Sequence, residues 1–182
     1  MIDNQTNAQA ATTIRDETSS DAEAISKVTE AAFKTLKISR HTEPFIIEAL
    51  RVAKALAVSL VAERNGVVIG HIAFSLVAVS DGTSGWYGLG PVSVLPEHQR
   101  QGVGKALIRE GLSRLQAMGA QGCCLVGHSG YYRKLGFCNP TGLAVNGVPA
   151  EFFFVRTFTG CYPQGTVAFH DAFQAEGSSR TG

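Results

Sequence analysis

No run in this chain is apolar for long enough to cross a bilayer. The longest, VVIGHIAFSLVAV from Val67 to Val79, falls short of the roughly 20 residues that a spanning helix needs. It also carries His71 and Ser75, so it reads as a buried strand. The first residues, MIDNQTNAQAATT, have neither the cationic start nor the apolar centre of a secretory signal. These absences predict a cytoplasmic protein with no membrane partner. Neither sign of charge dominates: 16 Lys+Arg stand against 15 Asp+Glu, a formal net of +1. That excludes general electrostatic attraction to nucleic acid, so any anion site must be argued locally. None of the four cysteines, Cys123, Cys124, Cys138 and Cys161, stands in C-x-x-C spacing. On a strand, Cys123 and Cys124 point to opposite faces and cannot grip one metal together. All four read as small reduced thiols, and no metal is expected.

What is present alternates between two periods. TIRDET, from Thr13 to Thr18, reads as a first strand. In the helical stretch that follows, Ser20 and Glu23 make a capping box, and Ile25, Val28, Ala32 and Phe33 form one apolar stripe. A second helix is expected from Thr42, with Pro44 in its first turn. Asn65-Gly66 between two β-forming runs is a strong hairpin signal, because both residues tolerate positive φ. The run after it is apolar almost without alternation, so both faces of that strand should be covered. GWYGLGPVSVL is a strand with a fault: Pro91 cannot donate to a ladder, so the strand is bulged near Gly88, Gly90 and Pro91. A helix over GVGKALIREGLSRLQAMGA, a buried strand over GCCLVGH, a short helix over SGYYRKLG and two closing strands in EFFFVRTF and GTVAFHDAF complete the order. Residues 12–174 are expected to form one domain, with residues 1–11 and 175–182 disordered.

The stretch PEHQRQGVGKAL, from Pro96 to Leu107, joins the faulted strand to the long helix. A glycine loop entering a helix N-terminus offers unpaired N–H groups and the positive end of the helix dipole, which together hold an anion. Spacing separates the possible phosphates. A Walker loop needs Ser or Thr after its lysine, but Ala106 follows Lys105 and Gln99 stands where the first glycine belongs. A dinucleotide loop needs a small residue at Leu107 or Ser93. Neither ATP nor NAD fits in those modes.

Gln99-Arg100-Gln101-Gly102-Val103-Gly104 does match a third pattern: Gln or Arg, two residues, Gly, one residue, Gly or Ala. With VSVLPEHQRQGVGKALI around it and YYRKLGF one strand later, the chain resembles the GNAT superfamily of acyl-CoA N-acyltransferases. The resemblance runs from about Thr13 to Phe173 in element order and is most specific between Leu89 and Phe137. It implies an α/β (α+β) fold: a mixed, mostly antiparallel sheet with splayed central strands and helices on both faces. It also implies acetyl-CoA as co-substrate and no metal. By resemblance, the N–H groups of Arg100, Gln101, Gly102, Val103, Gly104 and Lys105 cradle the pyrophosphate of coenzyme A. Val92, Ser93 and Val94 offer their backbone to the pantetheine arm.

The family's leaving-group acid is a tyrosine four residues before the glycine of a Y-x-x-x-G-F ending, which falls on Tyr132, four before Gly136. A phenol near 10 can hand a proton to a thiolate near 8.5. Tyr131 points about 100° away on a helix and is the weaker candidate. The base is less defined. Many relatives use a glutamate on the strand before the loop, but GWYGLGPVSV has no carboxylate. His128, acting through water, is the candidate, with His41 and Glu43 on the acceptor side. The acceptor is expected to be a primary amine of a small molecule or peptide, with no nucleic-acid partner, and the protein to be a monomer or homodimer. Two rivals stand beside the enzyme. One is a non-catalytic acyl-CoA-binding module of the same fold, which the missing glutamate favours. The other is thiol chemistry by Cys124 with His128, whose spacing puts them about 13 Å apart on a strand, too far for a direct pair.

Overall fold

The computed structural model describes residues 11–34 and 41–176. The expected disordered ends lie outside the described residues, apart from residues 11, 175 and 176. In chain order the elements are β1 (Thr13–Asp16), α1 (Ala22–Phe33), α2 (Glu43–Val52), β2 (Leu56–Arg64), β3 (Val67–Leu76), β4 (Ala78–Val79), β5 (Trp86–Val94), α3 (Val103–Ala117), β6 (Gly122–Val126), α4 (Ser129–Tyr132), β7 (Leu143–Val145), β8 (Phe153–Thr157) and β9 (Gly165–Ala168). Asn65 and Gly66 take φ of 53° and 76°, the two positive values that a tight hairpin needs. They set β2 against β3 in antiparallel register.

The main sheet has the order β1-β2-β3-β5-β6-β8, and β5–β6 is its parallel pair. A second sheet, β4-β9-β7, stands apart from it. Helix α3 covers one face of the main sheet, packing Leu107, Ile108 and Leu112 against Leu60, Ile72, Phe74, Leu125 and Phe154. Each fully buried side chain of this size contributes roughly 1.5–3 kcal/mol. The helix sits close because Gly111 has no Cβ: one there would stand 2.2 Å from the Phe74 ring. On the opposite face, Ile25 and Val28 of α1 and Ile47 of α2 meet Val61 and Val68. The second sheet covers the rest of that face, where Val77, Val167, Trp86, Cys124, Phe153 and Val155 pack together. Helices therefore lie on both faces, as expected.

Three expectations change. The helix-entry box is not Ser20 with Glu23. Thr18 N–H donates to the Asp21 carboxylate at 2.7 Å, and a 3-10 turn over Ser19–Asp21 precedes α1. The shift has a cause in β1, because the Arg15 guanidinium grips both Asp21 oxygens at 2.7 and 3.0 Å. Second, β9 pairs with β4 and β7 rather than closing the main sheet. Third, the run expected as one strand from Val67 to Val79 is divided into β3 and the two-residue β4, and β7 appears where no strand is expected, being three residues long, too short to show an alternation.

A buried polar cluster ties β1, β2, β3 and α2 together. Glu17, just past β1, accepts from Ser59 and from Arg51 Nε at 2.7 Å. His71 is fully buried, with Nε2 2.8 Å from Ser59 Oγ and Nδ1 without a partner. Burial lowers the His71 pKa against the raising effect of Glu17. A neutral ring protonated at Nε2 satisfies this arrangement.

Candidate functional site

β5 pairs with β6 only at Trp86↔Gly122, Tyr87↔Cys123 and Gly88↔Cys124. Beyond that point β6 runs on against β8 through Leu125↔Phe154 and Val126↔Phe153, while β5 continues against β3 to Gly70↔Val94. The edge of Leu89–Val94 that would face β6 therefore has no strand beside it, and a slot opens between the two strands. The bulge foreseen in β5 sits where they part. Ile72↔Val92 and Phe74↔Leu89 bracket one residue on β3 and two on β5, and the Gly90-Pro91 peptide is cis. Gly88 is required here, since a Cβ would stand 2.6 Å from the Phe169 ring.

The side chains of β5 fix which part of it faces the slot. Ser93 is buried and its hydroxyl lies 3.2 Å from Thr29 Oγ1 of α1, so the strand is anchored to the helix layer on that face. Val92 and Val94 pack on the α3 side. All three side chains are committed to packing, which leaves their backbone for the slot.

The glycine loop lies at the end of this strand. Gln99 Nε2 donates to the Val94 carbonyl at 3.0 Å, so the residue that begins the motif clips the loop to β5. Gln101 Nε2 donates to the Glu97 carbonyl at 2.8 Å and its Oε1 accepts from Arg64 at 3.0 Å. Arg100 and Gly102 take left-handed φ of 59° and 88°. The first helical bond, Ala106 N–H to the Gly102 carbonyl at 2.9 Å, leaves the N–H groups of Gly102, Val103, Gly104 and Lys105 ahead of any intrahelical acceptor. A Cβ on Gly102 would meet nothing within 4 Å; one on Gly104 would come to 3.4 Å from the Tyr131 hydroxyl. The arrangement fits an anion seated on the helix N-terminus, with an extended chain leading from it along β5.

The two tyrosines take different places. Tyr131 is 46% exposed and brings its hydroxyl over Gly104. Tyr132 is partly buried against Phe137 and Phe154, with ring centroids 6.1 Å away in each case. Its ring lies over Gly127, just beyond the end of β6: a Cβ there would stand 2.7 Å from Tyr132 Cε2. Burial, with a smaller effect from Tyr131, pushes the Tyr132 phenol up to about 12. His128 follows Gly127 and packs edge-on to Phe152 at 5.2 Å.

His41 and Glu43 lie elsewhere, lining a cavity of about 460 Å³ with Lys27, Glu30, Ala31 and Phe33 of α1, Lys34 just past it, and Pro44. Residues 35–40, which lead into His41, lie outside the described residues. Phe153 and Phe154 are buried on opposite faces of β8. Cys124 faces the second sheet, and burial raises its thiol to about 12, which removes it as a nucleophile. Sequence reasoning missed Gly127, whose only signal was a glycine beside a candidate residue, and Arg64, whose brace on the loop crosses the sheet. Among the described residues, no cluster of three or more His, Cys, Asp or Glu is placed to hold a metal, and no helix is long and apolar enough to cross a membrane.

Residues 56–139 match the family described as Acetyltransferase (GNAT) domain. The chain is similar to the "Uncharacterized N-acetyltransferase YhbS" of Escherichia coli K12, with 31% identity over 68% of this chain and 72% of the relative. It is 34% identical to the "Uncharacterized N-acetyltransferase YjhQ" of the same organism over 58% of this chain, and spans 59% of that relative's length. Among solved structures, a GNAT family acetyltransferase from Brucella melitensis in complex with acetyl-CoA superposes with a TM-score of 0.81 and 49% identity, covering 90% of this chain and 99% of the other. YhbS from Escherichia coli in complex with CoA superposes with a TM-score of 0.82 and 28% identity, covering 94% and 97%.

Proposed function

The chain belongs to the GNAT acetyltransferase family, and from that premise we propose that it moves the acetyl group of acetyl-CoA to a primary amine of a small molecule or peptide by direct attack. The observation that carries this is the end of β5–β6 pairing at Gly88↔Cys124, which frees a backbone edge leading to the N-terminus of α3. In this reading the N–H groups of Arg100 to Lys105 hold the pyrophosphate, and the backbone of Val92, Ser93 and Val94 aligns the pantetheine arm. Acetyl-CoA supplies an activated thioester. The chain's own part is to keep that arm extended, exclude water from the slot and manage two protons.

Tyr132 protonates the departing thiolate. Its phenol at about 12 stays protonated at working pH. The desolvation that raises Tyr132 would raise a thiol bound beside it in the same direction from its ordinary 8.5. His128, one residue beyond Gly127, takes the ammonium proton through water, since β5 carries no carboxylate. His41 and Glu43 serve the acceptor side, in a cavity where the carboxylates of Glu30 and Glu43 stand beside the ammonium groups of Lys27 and Lys34. The proposal is completed by action in the cytoplasm, as one domain over residues 12–174 and as a monomer or homodimer.

Tyr132→Phe tests the reading. Thiol release across amines, amino acids, polyamines and peptides should fall about 100-fold or more, while acetyl-CoA affinity measured by titration stays within twofold. The rival that the missing β5 glutamate favours, a non-catalytic acyl-CoA-binding module, predicts binding without thiol release from either protein. Full turnover by the phenylalanine variant removes Tyr132 from the mechanism.

A further inference from the structure

A second concave surface lies on the α3 side of the sheet. Arg109, Leu112, Ser113 and Gln116 present one face of α3 to Lys134, Leu135, Gly136, Arg156, Thr157 and Tyr162 across a groove of about 570 Å³. Three of these side chains are cationic and none is a carboxylate. Three arginines elsewhere are matched to acids, Arg15 to Asp21 and Glu63, Arg51 to Glu17 and Glu48, Arg114 to Asp16 and Glu110, while Arg64 and Arg133 bond to neutral side chains. Among the described residues, Arg109, Lys134 and Arg156 make no ion pair. Arg156 is nonetheless held in place: its Nη1 donates to the Leu135 carbonyl at 2.7 Å, and its guanidinium lies 3.6 Å from where a Cβ of Gly136 would stand. A lone inward cation on an edge strand is explained as a guard against strand pairing. That accounts for Arg156 but not for Arg109 and Lys134 converging on it.

We propose that this groove binds a phosphate monoester. Three unpaired cations beside the hydroxyls of Ser113, Thr157 and Tyr162 suit a dianion better than a single carboxylate. Two sources carry that chemistry. One is the 3′-phosphate of coenzyme A itself, an arm that rests on the acetyl-CoA reading above. Lys105 and Arg109 are four residues apart on α3, and Arg109 lies about 10 Å along the helix from Gly102, within the span of a coenzyme seated on the loop. The other source is a separate phosphorylated molecule bound beside the coenzyme.

Calorimetric titration separates them without relying on turnover. Arg109→Gln, Lys134→Gln and Arg156→Gln are titrated with acetyl-CoA, with 3′-dephospho-acetyl-CoA and with inorganic phosphate. The first two variants change exposed side chains and keep the test valid if Arg156→Gln disturbs Leu135. If the coenzyme is the source, each substitution weakens acetyl-CoA by about tenfold and leaves the dephospho compound unchanged. If the source is separate, both coenzyme affinities hold, while inorganic phosphate binds the acetyl-CoA-loaded wild type and is lost in the variants. The proposal is overturned if the variants treat both coenzymes alike and show no phosphate binding to lose. Failure of acetyl-CoA to bind the wild type at all would instead defeat the functional reading, and the phosphate titration would still report on the groove.

Discussion

Gly127→Ala is the substitution that most directly asks whether Tyr132 must sit where it does. The added methyl would stand 2.7 Å from Tyr132 Cε2 and 3.4 Å from Cζ, where ordinary contact lies at 3.4–4 Å. The ring must therefore retreat by about 1 Å, and a displacement of that size can cost about 100-fold in rate when it moves a reacting group. Gly127 does not occupy the left-handed region, so alanine suffers no backbone strain there. Overpacking costs about 1–3 kcal/mol and is partly offset by about 0.4–1 kcal/mol from a less flexible unfolded chain. The fold should survive while the tyrosine moves. Steady-state thiol release with an amine that supports turnover should show kcat reduced toward the Tyr132→Phe level, with KM for acetyl-CoA within about twofold. Gly130→Ala is the control, because a Cβ there meets nothing within 4 Å. Undiminished kcat in Gly127→Ala, alongside a large loss in Tyr132→Phe, would refute the claim that this contact positions the ring.

Two further predictions concern the loop and the buried cluster. Gly102→Val places a branched side chain at φ of 88°, a conformation costing about 1–2 kcal/mol in non-glycine residues; acetyl-CoA affinity should fall at least about tenfold while the urea midpoint falls by no more than that strain accounts for, and unchanged affinity would remove the loop from the cradle. For Glu17, burial alone would raise the carboxyl, but hydrogen bonds from His71, Arg51 and Ser59 outweigh it and hold it at about 2 against the ordinary 4.5. Its contribution is then complete above about pH 4.5 and lost as pH falls toward 2, a change of about 2 kcal/mol after allowance for solvent screening. Urea unfolding from pH 6 to 2.5 should show a flatter acid decline for Glu17→Gln than for wild type, and parallel curves would show that the cluster does not couple to protonation.

Most of what local chemistry controls could be read from the residues. Asn65-Gly66 announced its hairpin, Pro44 and Thr42 the start of α2, and Pro91 the fault in β5, since each acts within a few positions of itself. The glycine loop leading into α3 was legible for the same reason. What escaped was settled across space. Nothing near Ser20 reveals that Arg15 claims Asp21 and moves the helix entry. Nothing in GTVAFHDAF tells that its strand joins β4 and β7 rather than the main sheet. The slot shows the divide within one element: its fault is written in Gly88 and Pro91, but its depth depends on β6 leaving to follow β8. The contact of Gly127 with Tyr132 and the convergence of Arg109, Lys134 and Arg156 join residues whose neighbourhoods in the sequence are unremarked.

The inner edge of β5 also bears on how this protein avoids sticking to itself. An unpaired strand edge on a surface invites another chain to pair with it, and folds usually blunt such edges with charge, proline or a covering loop. Here the unpaired stretch from Leu89 to Val94 lies in the interior of the sheet, flanked by β6. The outer edges of that sheet are β1 and β8, so the backbone left unpaired in β5 can serve a ligand that enters along the slot without adding an edge to the surface.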